Sequence, residues 1–439
     1  RRKEVAVESI SVGASVSCCV SLKGEVFVWG YSVESPIPKR VKEISSEFFR
    51  AARTDADGKL LVLSGSSQDV YRWTIPDNEE DGEVTEEKKE EKDPMERIEE
   101  LRGKRCVEMD GDNHFLVATA TGEVFAWGEN AYGQLGLGDD KYCDFPVKVE
   151  LREPIVAVAV SECHSIALSS SGKMYAWGSG EQGRLGLGHD RDAPIPSPVA
   201  GLDSVVVRHI AAGKFNSGAV GSKGGVYIWG AGNSRQLGFK GEDPSYFHTH
   251  MKPFKIETLS GISCHSLAIG SRHVLVATTD GKVWSWGNND FGQLGYEQSQ
   301  EDLDSCDNWD YYCPGPKEVK VSAKGKVSEV YAGTDISFAL MQNGKIYGWG
   351  SGETHQLANE DNGFDDEFYP VEIKFMMGAK PIKMMSLAGT NCVAICEDGL
   401  AYGWGWDIGE TPTLVKDVAD LKSKVSIVAV GVSDVVYAC

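Results

Sequence analysis

Three histidines occupy the same position in a repeated sequence pattern, and histidine is the side chain that most readily exchanges a proton near neutral pH. His114, His164 and His273 each lie thirteen residues before a tryptophan. Asn216 and Asn391 occupy the same position in two other copies of the pattern. Asparagine forms hydrogen bonds but does not titrate, so the alternation predicts a structural hydrogen bond rather than acid–base catalysis.

The eleven cysteines are the second group with reactive potential. Several lie in apolar segments, which is typical of small buried hydrophobic residues in a reducing compartment. Cys392 and Cys396 are separated by three residues, but no second pair of metal ligands is nearby, so no metal site is predicted. Cys306 and Cys313 flank an acidic insertion and are predicted to be free thiols in preference to a disulfide.

Other catalytic arrangements are not apparent in the sequence. It contains no phosphate-binding loop, no Ser/His/Asp order and no pair of carboxylates that stands out as an acid–base couple. We therefore expect no catalytic residues, no metal and no cofactor.

A recurring Trp-Gly dipeptide defines the elements that must position these side chains. Each of its tryptophans follows an aromatic residue by two positions and a glycine by five. Successive copies lie 50 to 63 residues apart, except for one gap of 98 that contains a degenerate copy around Trp73. A period of this size predicts a repeat architecture. The seven dipeptide tryptophans are Trp29, Trp127, Trp177, Trp229, Trp286, Trp349 and Trp404.

One copy shows the elements of a repeat. Apolar runs and a proline-bearing stretch predict four short strands, at Ile155–Val160, Ser165–Leu168, Met174–Trp177 and Pro194–Val199. Such a repeat predicts one blade of a β-propeller, because stacked blades bury each other's faces. The chain is therefore predicted to be all-β, a seven-bladed β-propeller with eight blades as the alternative. Residues 1–439 are predicted to form this single domain.

The net charge of −21 restricts the classes of partner. It disfavours bulk electrostatic binding to DNA, RNA or anionic membranes, which requires clustered lysine and arginine, and it is compatible with basic partners. No segment approaches the roughly 18 consecutive apolar residues that span a bilayer, and Arg1–Ile10 lacks a signal-peptide pattern. We expect a cytoplasmic or nuclear chain without membrane insertion or direct nucleic-acid binding.

Acidic insertions interrupt the repeats at residues 77–100, 296–316 and 360–369. The first is too charged to bury a core and is predicted to be a loop. The other two also carry aromatic residues, which either contact a partner or fold back onto the propeller. The candidate partner-loop residues are Trp309, Tyr311, Tyr312 and Phe364.

The repeats resemble those of a known family. The segments AWGENAYGQLGLG, AWGSGEQGRLGLG, IWGAGNSRQLG and SWGNNDFGQLG are similar to repeats of the regulator of chromosome condensation family. The segments IAAGKFNSGAV, HSIAL and YAGTDISFAL resemble the other half of that repeat. The resemblance extends over essentially the whole chain, is strongest in Glu123–Gly295, and implies a seven-bladed propeller of this repeat type.

The resemblance implies two functions of different classes. One is a non-enzymatic protein–protein interaction scaffold that binds partners, including members of a larger multi-protein assembly, through its loop faces. The alternative is a guanine-nucleotide exchange factor for a small Ran-like GTPase, the activity of the founding member. That factor uses acidic residues in loops on one face, and the matching positions here are Asp112, Glu162 and Asp335. Ordinary surface turn residues are the simpler interpretation of these three.

A third member of the family is a plant ultraviolet-B photoreceptor that absorbs light through clustered tryptophans. The Gly-Trp-Arg-His-Thr motif that carries its chromophore is absent from this sequence. Trp284 with Trp286, and Trp404 with Trp406, are more simply interpreted as core residues. The sequence thus favours the scaffold, with nucleotide exchange as the alternative.

Overall fold

The described part of the chain consists mainly of β-strands. The structure, a computed structural model, describes residues 7–12, 17–21, 26–30, 35–40, 49–54, 60–64, 70–73, 95–97, 99–102, 104–111, 113–239, 249–297, 312–322, 324–358, 365–388, 391–398, 400–405 and 409–414. Within these residues the helices are single 3-10 turns at Glu99–Leu101, Glu181–Gly183 and Glu257–Leu259. The all-β prediction is confirmed.

The strands are numbered in chain order. The first sixteen are β1 (Val7–Val12), β2 (Ser17–Ser21), β3 (Val26–Gly30), β4 (Ser35–Arg40), β5 (Phe49–Thr54), β6 (Leu60–Ser64), β7 (Val70–Trp73), β8 (Met95–Arg97), β9 (Cys106–Gly111), β10 (His114–Thr119), β11 (Val124–Gly128), β12 (Cys143–Val149), β13 (Ile155–Val160), β14 (His164–Ser169), β15 (Met174–Gly178) and β16 (Ala193–Pro198). The others are β17 (Val207–Ala212), β18 (Asn216–Gly221), β19 (Val226–Gly230), β20 (His250–Lys255), β21 (Cys264–Ile269), β22 (His273–Thr278), β23 (Val283–Asn288), β24 (Tyr312–Val319), β25 (Val327–Ala332), β26 (Ile336–Met341), β27 (Ile346–Gly350), β28 (Glu367–Glu372), β29 (Ile382–Ala388), β30 (Asn391–Cys396), β31 (Ala401–Gly405) and β32 (Gly409–Leu414).

Each sheet contains four consecutive strands, and neighbouring strands in it are antiparallel. The described strands form eight such sheets. This number agrees with the alternative prediction of eight blades and not with the preferred prediction of seven. The additional sheet, β5–β8, contains the degenerate copy. There Val70, Tyr71 and Trp73 keep the β-branched and aromatic character that favours a strand, although Gln68 replaces the turn glycine.

The sheets follow one another as the blades of a propeller. The first strand of one sheet contacts the first strand of the next, as in β9 with β13 and β17 with β21, so the first strands lie nearest the axis. Strand β1 also contacts β29 and β30, which brings the first and last sheets together. Fourth strands such as β12 and β16 lie at the rim and expose much of their surface.

The predicted insertions are shorter than the sequence suggested, because each of them ends in a strand. Residues 95–97 form β8, residue 312 begins β24 and residue 367 begins β28. These strands pair with the third strand of their sheets, so backbone pairing extends into the acidic segments. Residues 74–94, 298–311 and 359–364 lie outside the described part of the chain.

The up-and-down order of the strands gives the propeller two different ends. The turn between first and second strands and the glycine-rich loop between third and fourth strands lie together at one end, which we call the loop end. The turn between second and third strands and the connection to the next sheet lie at the other, the turn end. Gly344 at the turn end has φ 77°, and a Cβ there would lie 2.3 Å from Pro381 Cβ, so this close approach requires glycine.

The cores lie between neighbouring sheets. Five of these cores combine the tryptophan of one sheet with the leucine from the glycine-rich loop of the preceding sheet, for example Trp229 with Leu185 and Trp286 with Leu237. Five of these tryptophans have no exposed surface, and Trp127 stacks on Phe115 with ring centroids 5.4 Å apart. Burial of this large apolar surface is the main favourable term that holds the ring together.

A hydrogen bond accompanies each of these contacts. The indole N–H donates to the backbone carbonyl of the residue just before the loop leucine of the preceding sheet. The five pairs are Trp177 with Gln134 (2.8 Å), Trp229 with Arg184 (2.9 Å), Trp286 with Gln236 (2.8 Å), Trp349 with Gln293 (2.9 Å) and Trp404 with Gln356 (2.7 Å). The same geometry thus recurs in five successive contacts between sheets.

Replacing Trp286 by phenylalanine tests the hydrogen bond separately from the ring. Trp286→Phe leaves the buried Gln236 carbonyl without its donor, so we expect a loss of about 1–3 kcal/mol in unfolding free energy beyond that of the ring change. Trp284→Phe is the matched control on the same strand, because the buried Trp284 Nε1 has no hydrogen-bond partner among the described residues. Urea unfolding followed by far-ultraviolet circular dichroism measures both, and equal losses would contradict the prediction.

Candidate partner-binding site

Three of the five loop carbonyls that accept an indole N–H also accept a serine hydroxyl from the next sheet. Ser165 Oγ donates to the Gln134 carbonyl at 2.8 Å. The equivalent bonds join Ser217 to Arg184 at 2.8 Å and Ser337 to Gln293 at 2.7 Å. These three glycine-rich loops are thereby fixed to the following sheet by two donors.

The repeat histidines complete this network. His114, His164 and His273 place Nε2 within 2.6 to 2.9 Å of Ser165, Ser217 and Ser337 Oγ, respectively. Because the serine hydroxyl already donates to a carbonyl, its oxygen accepts from the histidine. The histidines are therefore in the Nε2–H tautomer, and His164 Nδ1 accepts from Ser161 Oγ at 2.5 Å.

Burial keeps these histidines neutral. It lowers the pKa of His114 and of His273 to about 3, and it lowers the pKa of His164 well below its ordinary value. His114 and His273 each bury an Nδ1 atom without a hydrogen-bond partner among the described residues, so a proton added there is not compensated. Asn216 donates to the Trp229 and Ala231 carbonyls instead. The structural interpretation of the His/Asn position is confirmed.

Two of the three acidic candidates lie in first-to-second-strand turns and pair with a cation of a neighbouring sheet. Glu162, before β14, accepts from Lys214 Nζ at 3.0 Å, and Lys214 precedes β18. Asp335, before β26, accepts from Arg272 Nη2 at 3.1 Å, and Arg272 precedes β22. These turns lie nearest the axis at the loop end, so each of the two candidates forms an ion pair between neighbouring sheets there.

Asp335 is the more strongly held of the two. Its Oδ1 also accepts from Gln293 Nε2 at 3.0 Å, and Arg272 binds Asp290 Oδ2 at 3.0 Å as well. Partial burial raises the pKa of Asp335, and the neighbouring Arg272 opposes that rise. The pair Glu162 and Asp335 is not brought together, because the two residues lie on the fourth and seventh sheets.

The other predicted site residues are placed only in part. Asp112, Trp309, Tyr311 and Phe364 lie outside the described residues. Tyr312 begins β24, where its backbone is opposite Asn288 of β23.

A second surface was not predicted from the sequence. Tyr132, Tyr142, Phe145, Val147 and Ile195, here called the rim patch, are each 41 to 59% exposed. They come from the glycine-rich loop and outer strand of the third sheet and from β16 of the fourth. The two sheets meet where Gly138 N donates to the Pro194 carbonyl at 2.8 Å. The detectable signal was the aromatic residues at loop and outer-strand positions, outside the buried pattern of the repeat.

Acidic side chains border the rim patch. Asp139, Asp140 and Asp144 are exposed beside its tyrosines and phenylalanine, with Lys141 as the intervening cation. Asn130 Nδ2 donates to Asp139 Oδ1 and to the Asp139 carbonyl, both at 3.0 Å, so the loop that carries these carboxylates is hydrogen-bonded to its base. An apolar surface edged by carboxylates is complementary to a basic segment with apolar side chains.

No group of three or more His, Cys, Asp or Glu side chains in the described part of the chain is placed to hold a metal ion. Nor does any helix among those residues have the length and apolar character of a membrane-spanning segment.

Comparison with known proteins identifies relatives of this fold. A model of the RCC1-like domain matches residues 34–394. The ultraviolet-B receptor UVR8 of Arabidopsis thaliana is 30% identical over 360 residues, which cover 79% of this chain and 78% of UVR8. The human E3 ubiquitin-protein ligase HERC2 is 30% identical over 351 residues, which cover 78% of this chain but 7% of HERC2.

A solved structure shows the same architecture. Prp20p of Saccharomyces cerevisiae, described with its binding properties to Gsp1p and histones, aligns with a TM-score of 0.63. The alignment covers 93% of this chain and 94% of Prp20p at 22% sequence identity, so it shows a shared fold.

The buried histidines predict acid sensitivity. In the unfolded chain, His273 becomes protonated as the pH falls below about 6.5, whereas in the folded chain it stays neutral down to about pH 3. Between these values, the free energy of unfolding therefore decreases by about 1.4 kcal/mol for each unit by which the pH is lowered, for each such histidine. His273→Asn introduces the residue found at the equivalent positions 216 and 391, and we expect it to flatten the acid slope by that amount.

Urea unfolding between pH 7 and pH 4 measures this slope. His265→Asn, at an exposed histidine of the same sheet, is the control for the substitution itself. An unchanged slope in His273→Asn would show that this histidine is not kept neutral by the fold.

Proposed function

Because the chain belongs to the RCC1-like domain family, we propose that it is a non-enzymatic interaction scaffold whose rim patch binds a basic, partly apolar segment of a partner protein. The observation that carries the proposal is the exposed apolar cluster beside Asp139, Asp140 and Asp144. Half of the exposed large hydrophobic residues in the described chain belong to this cluster. Exposed apolar surface of this kind, edged by charge, is typical of a protein contact site.

Three features support the choice of partner. The tyrosines and phenylalanine offer large rigid contact area at low entropic cost, and aromatic residues are enriched at protein interfaces. The carboxylates favour lysine and arginine, and the net charge of −21 attracts a basic partner over longer distances. The fixed loops present both sets of side chains in one arrangement, which reduces the ordering cost of binding.

The buried reactive groups support a non-enzymatic role. The repeat histidines are hydrogen-bonded in the neutral form between sheets and do not line an open cleft. Burial raises the pKa of the Cys264 and Cys396 thiols to about 12, which suppresses the nucleophilic thiolate. These buried side chains stabilise the packed sheets, so we assign partner binding to residues on the surface.

Site-specific photo-crosslinking tests the scaffold proposal in cells. A photoreactive phenylalanine analogue at Phe145 is expected to form a discrete adduct with a partner protein. The same analogue at Val206, an exposed apolar residue at the turn end, is the matched control and is expected to form none. Asp139→Lys with Asp140→Lys is expected to lower the Phe145 adduct about fivefold or more, since each rim ion pair contributes up to about 1 kcal/mol.

Two results would overturn the scaffold proposal. One is the absence of any adduct at Phe145. The other is an adduct at Phe145 whose yield is unaffected by charge reversal and matches that at Val206.

A second candidate function is guanine-nucleotide exchange on a small Ran-like GTPase. The observation that favours it is the half-buried cluster of Asp335, Asp290 and Arg272 at the loop end, where two carboxylates share one guanidinium. A GTPase that presents a lysine competes there for the carboxylates. The binding of Gsp1p described for Prp20p is consistent with this alternative.

Release of a fluorescent guanine nucleotide from a panel of small GTPases separates the two candidates. The scaffold proposal expects no acceleration at micromolar protein. Acceleration that Asp335→Ala reduces, and that the outer-strand change Lys252→Ala leaves intact, would instead establish exchange through the loop end. Circular dichroism confirms that both variants are folded.

A further inference from the structure

We propose that the turn end of the seventh sheet binds an anionic membrane surface, with Met376 and Met377 entering the bilayer interface and nearby lysines contacting the lipid headgroups. These two residues, here called the methionine tip, are 55% and 103% exposed. The site lies in the connection between β28 and β29. It shares no residue with the rim patch or the loop-end cluster, and it does not depend on the proposed scaffold function.

The methionine tip projects from a tight turn. Ala379 N donates to the Met376 carbonyl at 3.1 Å, and Gly378 takes a φ of 98° that closes the turn. A Cβ added at Gly378 would have no neighbouring atom within 4 Å, so the turn stands clear of the rest of the surface. Two adjacent flexible, unbranched apolar side chains are thus held out from the propeller.

The base of the turn is anchored in the core. Phe375 packs edge-on against Tyr402 and Trp404, with ring centroids 5.3 and 5.6 Å away. Trp404 is one of the tryptophans that donate to a loop carbonyl of the preceding sheet. Exposure of the methionines therefore results from a rigid support and not from a loose segment.

Exposed lysines lie on the segment of the tip and on the segments next to it. Two connections and one hairpin turn adjoin here, because Ile382 N donates to the Gly344 carbonyl at 2.9 Å and Gln342 N donates to the Lys326 carbonyl at 2.8 Å. The exposed lysines on these segments, here called the lysine collar, are Lys320, Lys324, Lys326, Lys374, Lys380 and Lys383.

The acidic residues nearby are fewer. Lys345 pairs with Glu372 at 2.7 Å and Lys282 pairs with Glu318 at 2.9 Å, which neutralises two carboxylates. Asp280, beside Lys326, is exposed on the hairpin turn of the sixth sheet, and Glu397 and Asp398 are exposed on that of the eighth. The six lysines of the collar outnumber these exposed carboxylates, which gives a local excess of positive charge in a chain whose net charge is −21.

The lysine collar is far enough from the carboxylates at the loop end for its positive charge not to be cancelled by them. A strand of five or six residues separates the two ends by roughly 17–20 Å, whereas charges in physiological salt are screened over about 8 Å. A membrane approached by the turn end therefore senses the lysines more strongly than the distant carboxylates.

The shape of the site favours a membrane over an acidic peptide. A peptide ligand is usually held in a groove, whereas the methionine tip projects clear of neighbouring atoms. A projecting apolar tip with flanking cations places its apolar atoms below the headgroups and its ammonium groups among them. Each lysine near an anionic surface strengthens partitioning roughly fivefold.

Vesicle flotation tests the proposal with the whole chain. Wild-type protein is expected to float with phosphatidylcholine vesicles that contain phosphatidylserine, and not with phosphatidylcholine alone. Added salt is expected to release it. Met376→Ser with Met377→Ser, and separately Lys380→Glu with Lys383→Glu, are each expected to lower partitioning about tenfold or more.

Matched controls lie elsewhere on the surface. Val206→Ser removes an exposed apolar side chain, and Lys252→Glu reverses an exposed charge, and neither belongs to the tip or the collar. Both are expected to retain wild-type flotation. Circular dichroism and thermal unfolding establish that every variant is folded.

Three outcomes overturn the proposal. The wild-type protein fails to float with the anionic vesicles, or the tip and collar variants float as well as the wild type. In the third, soluble poly-glutamate displaces the protein from vesicles and binds it equally after the methionine changes, which would identify an acidic polypeptide as the ligand. Loss of flotation in the variants with an unchanged Phe145 adduct would separate this site from the scaffold function.

Discussion

Successive sheets are held together by hydrogen bonds to the backbone carbonyl of the residue before the loop leucine. At Gln293 this carbonyl accepts the indole N–H of Trp349 and the hydroxyl of Ser337, both from the next sheet. His273 then donates to the same serine. A buried carbonyl without donors costs about 1–3 kcal/mol, so a loop cannot move away from the following sheet without a substantial penalty. Packing of Leu294 against Trp349 adds the apolar contribution.

This constraint explains why function is expected at the surface. The histidines and tryptophans are committed to holding the sheets together, and their neutral or apolar character is required there. Residues in loops and outer strands need not be neutral or apolar, provided that the ends of these segments are fixed. Tyr142 and Phe145 at the rim, and Met376 and Met377 at the turn end, are exposed on such segments. The rigid frame lets each of them face a partner in a defined arrangement.

The sequence predicted the frame better than the surface, for physical reasons. Strands and turns depend on local periodicity, so β13 matches its predicted bounds and β14 to β16 differ by one or two residues. The degenerate Trp73 copy was ambiguous because pairing depends on β-forming side chains more than on the missing glycine. The Arg272–Asp335 contact joins residues 63 positions apart, and only adjacency of two sheets brings them together. The sequence identified Asp335 but not its partner.

The net charge is a sum over the whole chain, whereas the fold places acidic and basic residues on separate surfaces. Alternate connections between antiparallel strands emerge at opposite ends, so residues close in sequence diverge in space. Asp365 and Asp366 precede β28 at the loop end, whereas Lys374 follows it at the turn end. A single strand thus divides acidic from basic residues, and the screening length is shorter than the strand. A protein of strongly negative charge therefore presents a basic surface wherever the topology gathers its lysines, and its partners must be inferred end by end.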